Sequence, residues 1–331
     1  MQLTQKKNRR GDLLTAAAVA MLLAVMAALL YTGSLTRQVT NMLIPTAVYI
    51  VMAVSLNLVV GLLGELSLGH AGFMSVGLFS GCLVSIALTN TALPLMVRLP
   101  VSMLAGGLTA AVFGLLVGLP TLRLRGDYLA IVTLACGEII KNIITNLRVT
   151  GGALGLNTTA IYAGAKELLP YGAALVLLTV AVMLNLKRSK YGRAIMAIRD
   201  NRIAAESVGL SVTRYKLAVF VIAAFFAGCA GVLYGHSLAN IKAAAFDYNM
   251  SIEILVIVVL GGMGSVPGSV VSAIVLTVLP EALREVADYR MLVYAVVLIL
   301  VMQATNNPAM KRFFGAVCKS LTPRRKERAA L

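Results

Sequence analysis

Gly192-Arg193-Ala194-Ile195-Met196-Ala197-Ile198-Arg199-Asp200-Asn201-Arg202-Ile203-Ala204-Ala205-Glu206-Ser207-Val208-Gly209 is the one long, charge-dense, helix-forming stretch in a chain whose other long stretches are apolar. That contrast decides the fold class. Ile195, Ile198, Ile203 and Val208 are interleaved with Arg193, Arg199, Asp200, Arg202 and Glu206, which predicts a short helix or helix pair with one apolar and one charged side. Set between two hydrophobic spans, it reads as a face offered to a partner that supplies work. The small residues Ala204 and Ala205 ahead of Gly209 would let a helix sit in a partner's groove. A solvated helix on the membrane surface is the other reading of the same residues.

Around that stretch, 59% of the 331 residues are hydrophobic, 13% are charged and there is no tryptophan, with a mean hydropathy of +0.89. An ordinary soluble domain carries about twice that charge, so the composition predicts an all-α integral membrane protein, a polytopic helix bundle. The net charge of +16 is gathered into short stretches beside apolar spans, which is a topology signal and argues against a nucleic-acid partner.

At ~20 apolar residues per crossing, spans are expected near 13–32, 42–63, 68–88, 99–119, 128–146, 169–186, 215–235, 251–263, 267–281 and 290–306. The eighth and ninth are short and joined by Gly261-Gly262-Met263-Gly264-Ser265-Val266-Pro267-Gly268. About ten crossings result, or eight plus a bent hairpin. The apolar stretch after Lys6, Lys7, Arg9 and Arg10 has the flank of a signal peptide, but it is too long and lacks a clean cleavage site, so it reads as a retained first helix. Placing both termini in the cytoplasm puts twenty-one Lys and Arg inside and seven outside, with Lys141 left within a span. This bias supports that orientation. The organisation expected is a basic cytoplasmic amino end (1–12), a transmembrane region (13–306) containing the cytoplasmic segment 187–214, and a basic cytoplasmic tail (307–331).

Four features carry functional weight. Gly61-Leu62-Leu63-Gly64-Glu65-Leu66-Ser67-Leu68-Gly69-His70-Ala71-Gly72 combines glycines that release helical geometry with Glu65, Ser67 and His70 at membrane depth. It fits either a broken helix lining a solute path or a tight cytoplasmic hairpin in water. Val59 to Gly64 resembles Val258 to Gly264, a hint of duplicated architecture that sets Gly261, Gly262 and Gly264 beside Gly64 as candidate gating positions. Glu138 lies ~15 Å along the fifth span, with Lys141 one turn on, so it is either tied to Lys141 or to backbone amides, or engaged in gating. The outer stretch Thr150-Gly151-Gly152-Ala153-Leu154-Gly155-Leu156-Asn157 allows another protein to dock closely, though such residues also make ordinary loops.

Other chemistries lack their residues. No Gly-Lys pair occurs, so no Walker-type phosphate loop is expected. His70 and His236 are far apart, and Cys82, Cys136, Cys229 and Cys318 are scattered without ligand spacing, so neither metal nor cofactor is expected. No catalytic constellation stands out, and the chain is not expected to be an enzyme.

Several of these segments, in order, resemble one family. Leu56-Asn57-Leu58-Val59-Val60-Gly61 running into Gly64-Glu65-Leu66-Ser67-Leu68-Gly69-His70-Ala71 is similar to the permease subunits of branched-chain amino acid ABC importers, the LivM/LivH type. The same holds for Asp127 to Leu134 with Glu138-Ile139-Ile140, for Thr150-Gly151-Gly152 with Gly155, and for Leu260 to Ser265. It holds also for Tyr191-Gly192-Arg193-Ala194 with Ala197 to Asn201 and Ala204-Ala205-Glu206, and the segments around Tyr128 and Arg193 favour the LivM side. The resemblance implies a multi-pass permease of a prokaryotic cell membrane. It would work with a second related permease, two ABC ATPase subunits and an extracytoplasmic solute-binding protein. Gly192, Arg193, Arg199, Asp200, Ala204, Ala205, Glu206 and Gly209 would then couple to an ATPase, and Thr150, Gly151, Gly152 and Gly155 would receive the binding protein. The pattern Glu-Ala-Ala, three residues, Gly of such loops is degenerate here, with Ile203 in the Glu position. The substrate implied is a branched-chain or other aliphatic amino acid. Urea or short-chain amides are the alternative, and a self-contained secondary transporter or channel is the other class.

Overall fold

A computed structural model describes residues 36–89, 93–122, 124 and 126–282, with scattered positions between 17 and 32 and residue 299. The amino end 1–12, most of the expected span 13–32, the expected span 290–306 and the tail 307–331 lie outside the described residues, as do Arg123, Arg125, Arg284, Arg290 and Cys318. Residues 1–278 form one compact unit and 279–331 a second, of which only 279–282 and 299 are described.

The described elements run α1 (Arg37–Asn57), a π-helical turn (Leu58–Leu63), α2 (His70–Thr89), α3 (Leu95–Thr121), α4 (Asp127–Asn146), β1 (Leu156–Asn157) and α5 (Ala165–Arg188). They continue with α6 (Lys190–Asp200), α7 (Arg202–Ser207), α8 (Val212–His236), β2 (Asn240–Ile241), α9 (Tyr248–Gly261) and α10 (Val266–Ala282). Seven segments are long and apolar enough to cross a bilayer: Gln38–Leu63, α2, α3, α4, α5, α8 and Ala243–Gly261. The molecule is a polytopic helical membrane protein, since a helix satisfies its own backbone where water is absent. Ala243–Gly261 extends the expected span 251–263 towards its amino end, and α10 is a shorter apolar helix. One detail corrects the all-α expectation: β1 and β2 form a two-residue antiparallel ladder, Leu156 opposite Ile241 and Asn157 opposite Asn240. It clips two loops together outside the long helices.

Glycines set the tightest packing. A methyl on Gly77 of α2 would fall onto the backbone of Gly228 in α8, and one on Gly106 of α3 would strike the Gly77 carbonyl. Backbones at that separation gain dispersion contact that larger side chains would forbid. Phe73 and Phe220 meet edge to face beside this seam, with ring centres 5.4 Å apart. The outward side of α3, by contrast, exposes Met96, Leu104, Leu108 and Leu116, an apolar face suited to lipid or another subunit.

Polar groups in the bundle find local partners. His236 is buried with Nε2 2.9 Å from Ser85 Oγ and Nδ1 2.9 Å from the Val232 carbonyl. Cys82 and Cys229 are buried thiols and Cys136 is half-buried, all unpaired with each other. Cys82 and Cys229 are small core residues.

Candidate functional site

The apolar run that builds α1 does not stop at Asn57; it loosens into a π-helical turn that ends at Gly64, whose φ of +79° suits a residue without Cβ. From Gly64 to Gly69 the chain has no regular structure, and His70 then starts α2. Ser67, Gly69 and His70 are buried and Glu65, Leu66 and Leu68 half-buried, while Gly64 is exposed, so the polar side chains of this break face protein, not open water as in the hairpin reading. Neighbouring side chains supply partners to two of the backbone N–H groups at this break. Leu68 N–H donates to Thr133 Oγ1 of α4 at 3.1 Å, and Ala71 N–H to Ser251 Oγ of α9 at 3.2 Å. His70 Nε2 sits 2.8 Å from Ser55 Oγ.

Glu65 pairs with Lys216 near the start of α8. Its second carboxylate oxygen and the Ser67 hydroxyl are buried with no hydrogen-bond partner among the described residues. A lysine tethered in this way holds the break against α8, because separating the charges in a low-dielectric interior is costly.

The second glycine-rich turn, between α9 and α10, meets the first. Asn57 accepts from Gly264 N–H at 2.7 Å and donates to Ser269 Oγ at 2.8 Å and to the Ser265 carbonyl at 3.2 Å. A methyl on Gly61 would collide with Gly264, and one on Gly261 would collide with Gly268. Gly262 and Gly264 have φ of +86° and +81°. Gly64, Gly261, Gly262 and Gly264, separated by about two hundred residues, therefore belong to one assembly of two broken helices. The sequence hinted at their likeness, whereas Asn57, the residue that joins them, was missed. Its signal was an amide inside an apolar span.

The end of α5 and the charged stretch that follows it both connect to this assembly. Ser189 Oγ caps α6 by accepting from Gly192 N–H at 3.0 Å, and Asn201 Oδ1 caps α7 by accepting from Ala204 N–H at 3.1 Å. Arg199 Nη1 donates to the Gly61 carbonyl at 3.0 Å, its methylenes cover Gly64, and it also reaches Asp200 at 3.2 Å. Lys187 Nζ donates to the Gly264 carbonyl at 2.9 Å. Two cations thus hold one carbonyl from each glycine-rich turn.

The apolar residues of the stretch do not share one face. Ile195, Ile198 and Ala205 are buried, with Ile198 and Ala205 packed on Val212, Leu210 and Tyr215, while Ile203 and Val208 are 78% and 75% exposed. The break at Asn201 resets the helical phase, which a single periodicity across the stretch conceals. Gly192 is also buried, closing against the Leu186 carbonyl, whereas Arg193, Asp200, Ala204, Glu206 and Gly209 are exposed. Glu206 pairs with Arg202 at 2.8 Å. Ala205 is occupied by the chain itself, so the surface available to a partner is Ile203, Ala204, Val208 and Gly209.

Glu138 pairs with Lys141 and accepts from Tyr248 N–H at 2.9 Å, tying α4 to the start of α9. Both the lysine tie and the backbone-amide tie are therefore present. Glu253 of α9, missed by the sequence reading, receives the Tyr49 hydroxyl at 3.4 Å. In the loop after α4, Thr150 is buried and donates to the Ile144 carbonyl at 2.6 Å, and Gly155 lies against the Ile241 carbonyl. Gly151 is exposed and Gly152 half-buried, but Val149 and Leu154, at 68% and 83%, are the most exposed apolar residues there. No metal-holding group of three or more His, Cys, Asp or Glu occurs among the described residues.

Residues 38–302 match the family described as branched-chain amino acid transport system / permease component. The chain is 36% identical over 288 residues to the high-affinity branched-chain amino acid transport system permease protein LivM of Salmonella typhimurium, and equally to LivM of Escherichia coli. The match covers 78% of this chain and 66% of those relatives, so the chain spans about two thirds of their length. It is 31% identical over 126 residues to the permease protein LivH of Salmonella typhimurium, covering 37% of this chain and 40% of that one. No solved structure matches it.

Proposed function

Because the chain belongs to the family of branched-chain amino acid transport system permease components, we propose that it is the transmembrane permease subunit of an ATP-driven (ABC) importer for branched-chain or other aliphatic amino acids. It forms the translocation path with a second related permease, in a prokaryotic cell membrane, with both termini cytoplasmic and about ten crossings. Two ABC ATPase subunits supply the work and an extracytoplasmic solute-binding protein delivers the substrate. No enzymatic step falls to this chain.

The observation that carries this reading is the double tie to the glycine-rich turns, Arg199 of α6 to Gly61 and Lys187 at the end of α5 to Gly264. A helix pair outside the spans that grips one break, and continues from the α5 end that grips the other, can convert a push from an ATPase into movement of the breaks. Exposed Ile203, Ala204, Val208 and Gly209, rimmed by Arg193, Asp200 and Glu206, are the surface offered to the ATPase. Val149, Gly151, Gly152 and Leu154 are the surface offered to the binding protein, and the lipid-facing belt is the apolar side of α3.

The test is reconstitution. The chain with a second permease, ATPases and binding protein should take up L-leucine in proteoliposomes only with ATP. Uptake by this polypeptide alone would instead make it a self-contained transporter. Preference for urea or a short-chain amide over leucine would keep the importer and replace its substrate.

A further inference from the structure

We propose that Glu253, oriented by Tyr49, is the point on the permease wall that receives the ammonium group of an amino acid in passage; this rests on the importer reading above. A carboxylate held within a membrane span needs a cation or a proton as partner. Glu138 has Lys141 and Glu65 has Lys216. Glu253 differs: the ion pairs among the described residues do not include it, and its hydrogen bond is to the neutral Tyr49 hydroxyl at 3.4 Å.

Its position suits a solute. Glu253 lies on α9, a helix that starts at Tyr248 and ends at the glycine-rich turn after Gly261, and discontinuous helices of this kind supply substrate groups near the midplane of transporters. Asn41, Pro45 and Tyr49 recur every four residues on α1, and Asn249 and Glu253 do so on α9, so each set shares a face. On both helices the first residue, Asn41 or Asn249, is exposed, and the later ones, Tyr49 and Glu253, are half-buried. This is a polar line descending from the helix starts to a carboxylate. Beside it, half-buried Val256 and Ile252, 40% exposed, offer contact to an aliphatic side chain. An ammonium can donate to the Glu253 carboxylate while the Tyr49 hydroxyl holds its second oxygen, an arrangement of charge-assisted bonds that a neutral amide or sugar cannot reproduce.

The experiment uses the complete complex in proteoliposomes, with ATP and L-leucine-loaded binding protein. Wild-type failure to transport leucine would count against the proposed function itself, which separates the two claims. With wild-type uptake established, Glu253→Gln should lower uptake at least tenfold while the second permease and ATPases remain bound. Glu253→Cys should lower it likewise and regain it on treatment with 2-carboxyethyl methanethiosulfonate, which rebuilds a carboxylate, but not with the 2-aminoethyl reagent; treated wild type serves as the control. Undiminished uptake by Glu253→Gln, or a Cys variant not rescued by the carboxylate reagent, would overturn the proposal. So would loss of the second permease or failure of both variants to assemble, because Glu253 would then serve the interface or the fold.

Discussion

Half-buried Lys141, buried Lys216 and exposed Arg199 are each matched to an oxygen: Lys141 to Glu138, Lys216 to Glu65 and Arg199 to the Gly61 carbonyl. The first pairing was legible, because residues three apart on a helix share a face. The others join positions more than a hundred residues apart, and no local spacing encodes them. Glu138 has two partners, so removing its charge tests which matters. Glu138→Gln keeps an acceptor for Tyr248 N–H but strands the Lys141 ammonium, and Lys141→Met should relieve part of that cost. A double-mutant cycle on thermal stability in detergent or nanodiscs should give a coupling of about 1 kcal/mol or more. Strict additivity would show the pair to be incidental.

At the scale of elements, the sequence revealed where helices run far better than how they break. Apolar length fixed seven spans to within a few residues at most ends, and the amino end of the α9 span was read late because Ala243 to Phe246 precede the α9 cap, Asp247. The Gly61 to Gly72 stretch left open whether its polar groups met water or protein, since that depends on Thr133, Ser251 and Lys216 from other helices. The turn at Gly64 can be probed directly. Gly64→Ala forces φ of +79° on a residue with Cβ and drives the methyl into the Arg199 side chain, so stability should fall by at least roughly 1 kcal/mol. Gly209→Ala, at φ +83° with open space around it, should cost the backbone strain alone. Equal loss of thermal stability in the two variants would deny Gly64 any special contact.

The α6–α7 pair separates inward from outward residues in a way its sequence did not disclose, because the Asn201 cap rotates one helix relative to the other. Ala205→Asp would bury a charge in the Ile198 and Val212 cluster, so it should destabilise the pair itself by several kcal/mol, roughly the penalty for an unpaired buried charge. Ile203→Asp, on a 78% exposed residue, should leave the chain folded yet release the ATPase during co-purification. Retention of the ATPase by Ile203→Asp would exclude that surface from docking.

For the whole molecule, the central claim is that two broken helices are driven through Arg199 of α6 and Lys187 at the end of α5, the helix that leads into α6. Those two ties join the Gly61 turn and the Gly264 turn to the α5–α6 junction, regions far apart in sequence that only the folded bundle brings together. The direct measurement is the ratio of leucine taken up to ATP hydrolysed by complete complexes carrying Arg199→Ala and Lys187→Ala together. Charge-assisted bonds to carbonyls are worth about 1.5–3 kcal/mol each. The account therefore predicts that the ATPases stay bound and hydrolyse ATP when the loaded binding protein is present, while uptake per ATP falls at least about tenfold. An unchanged ratio would contradict it.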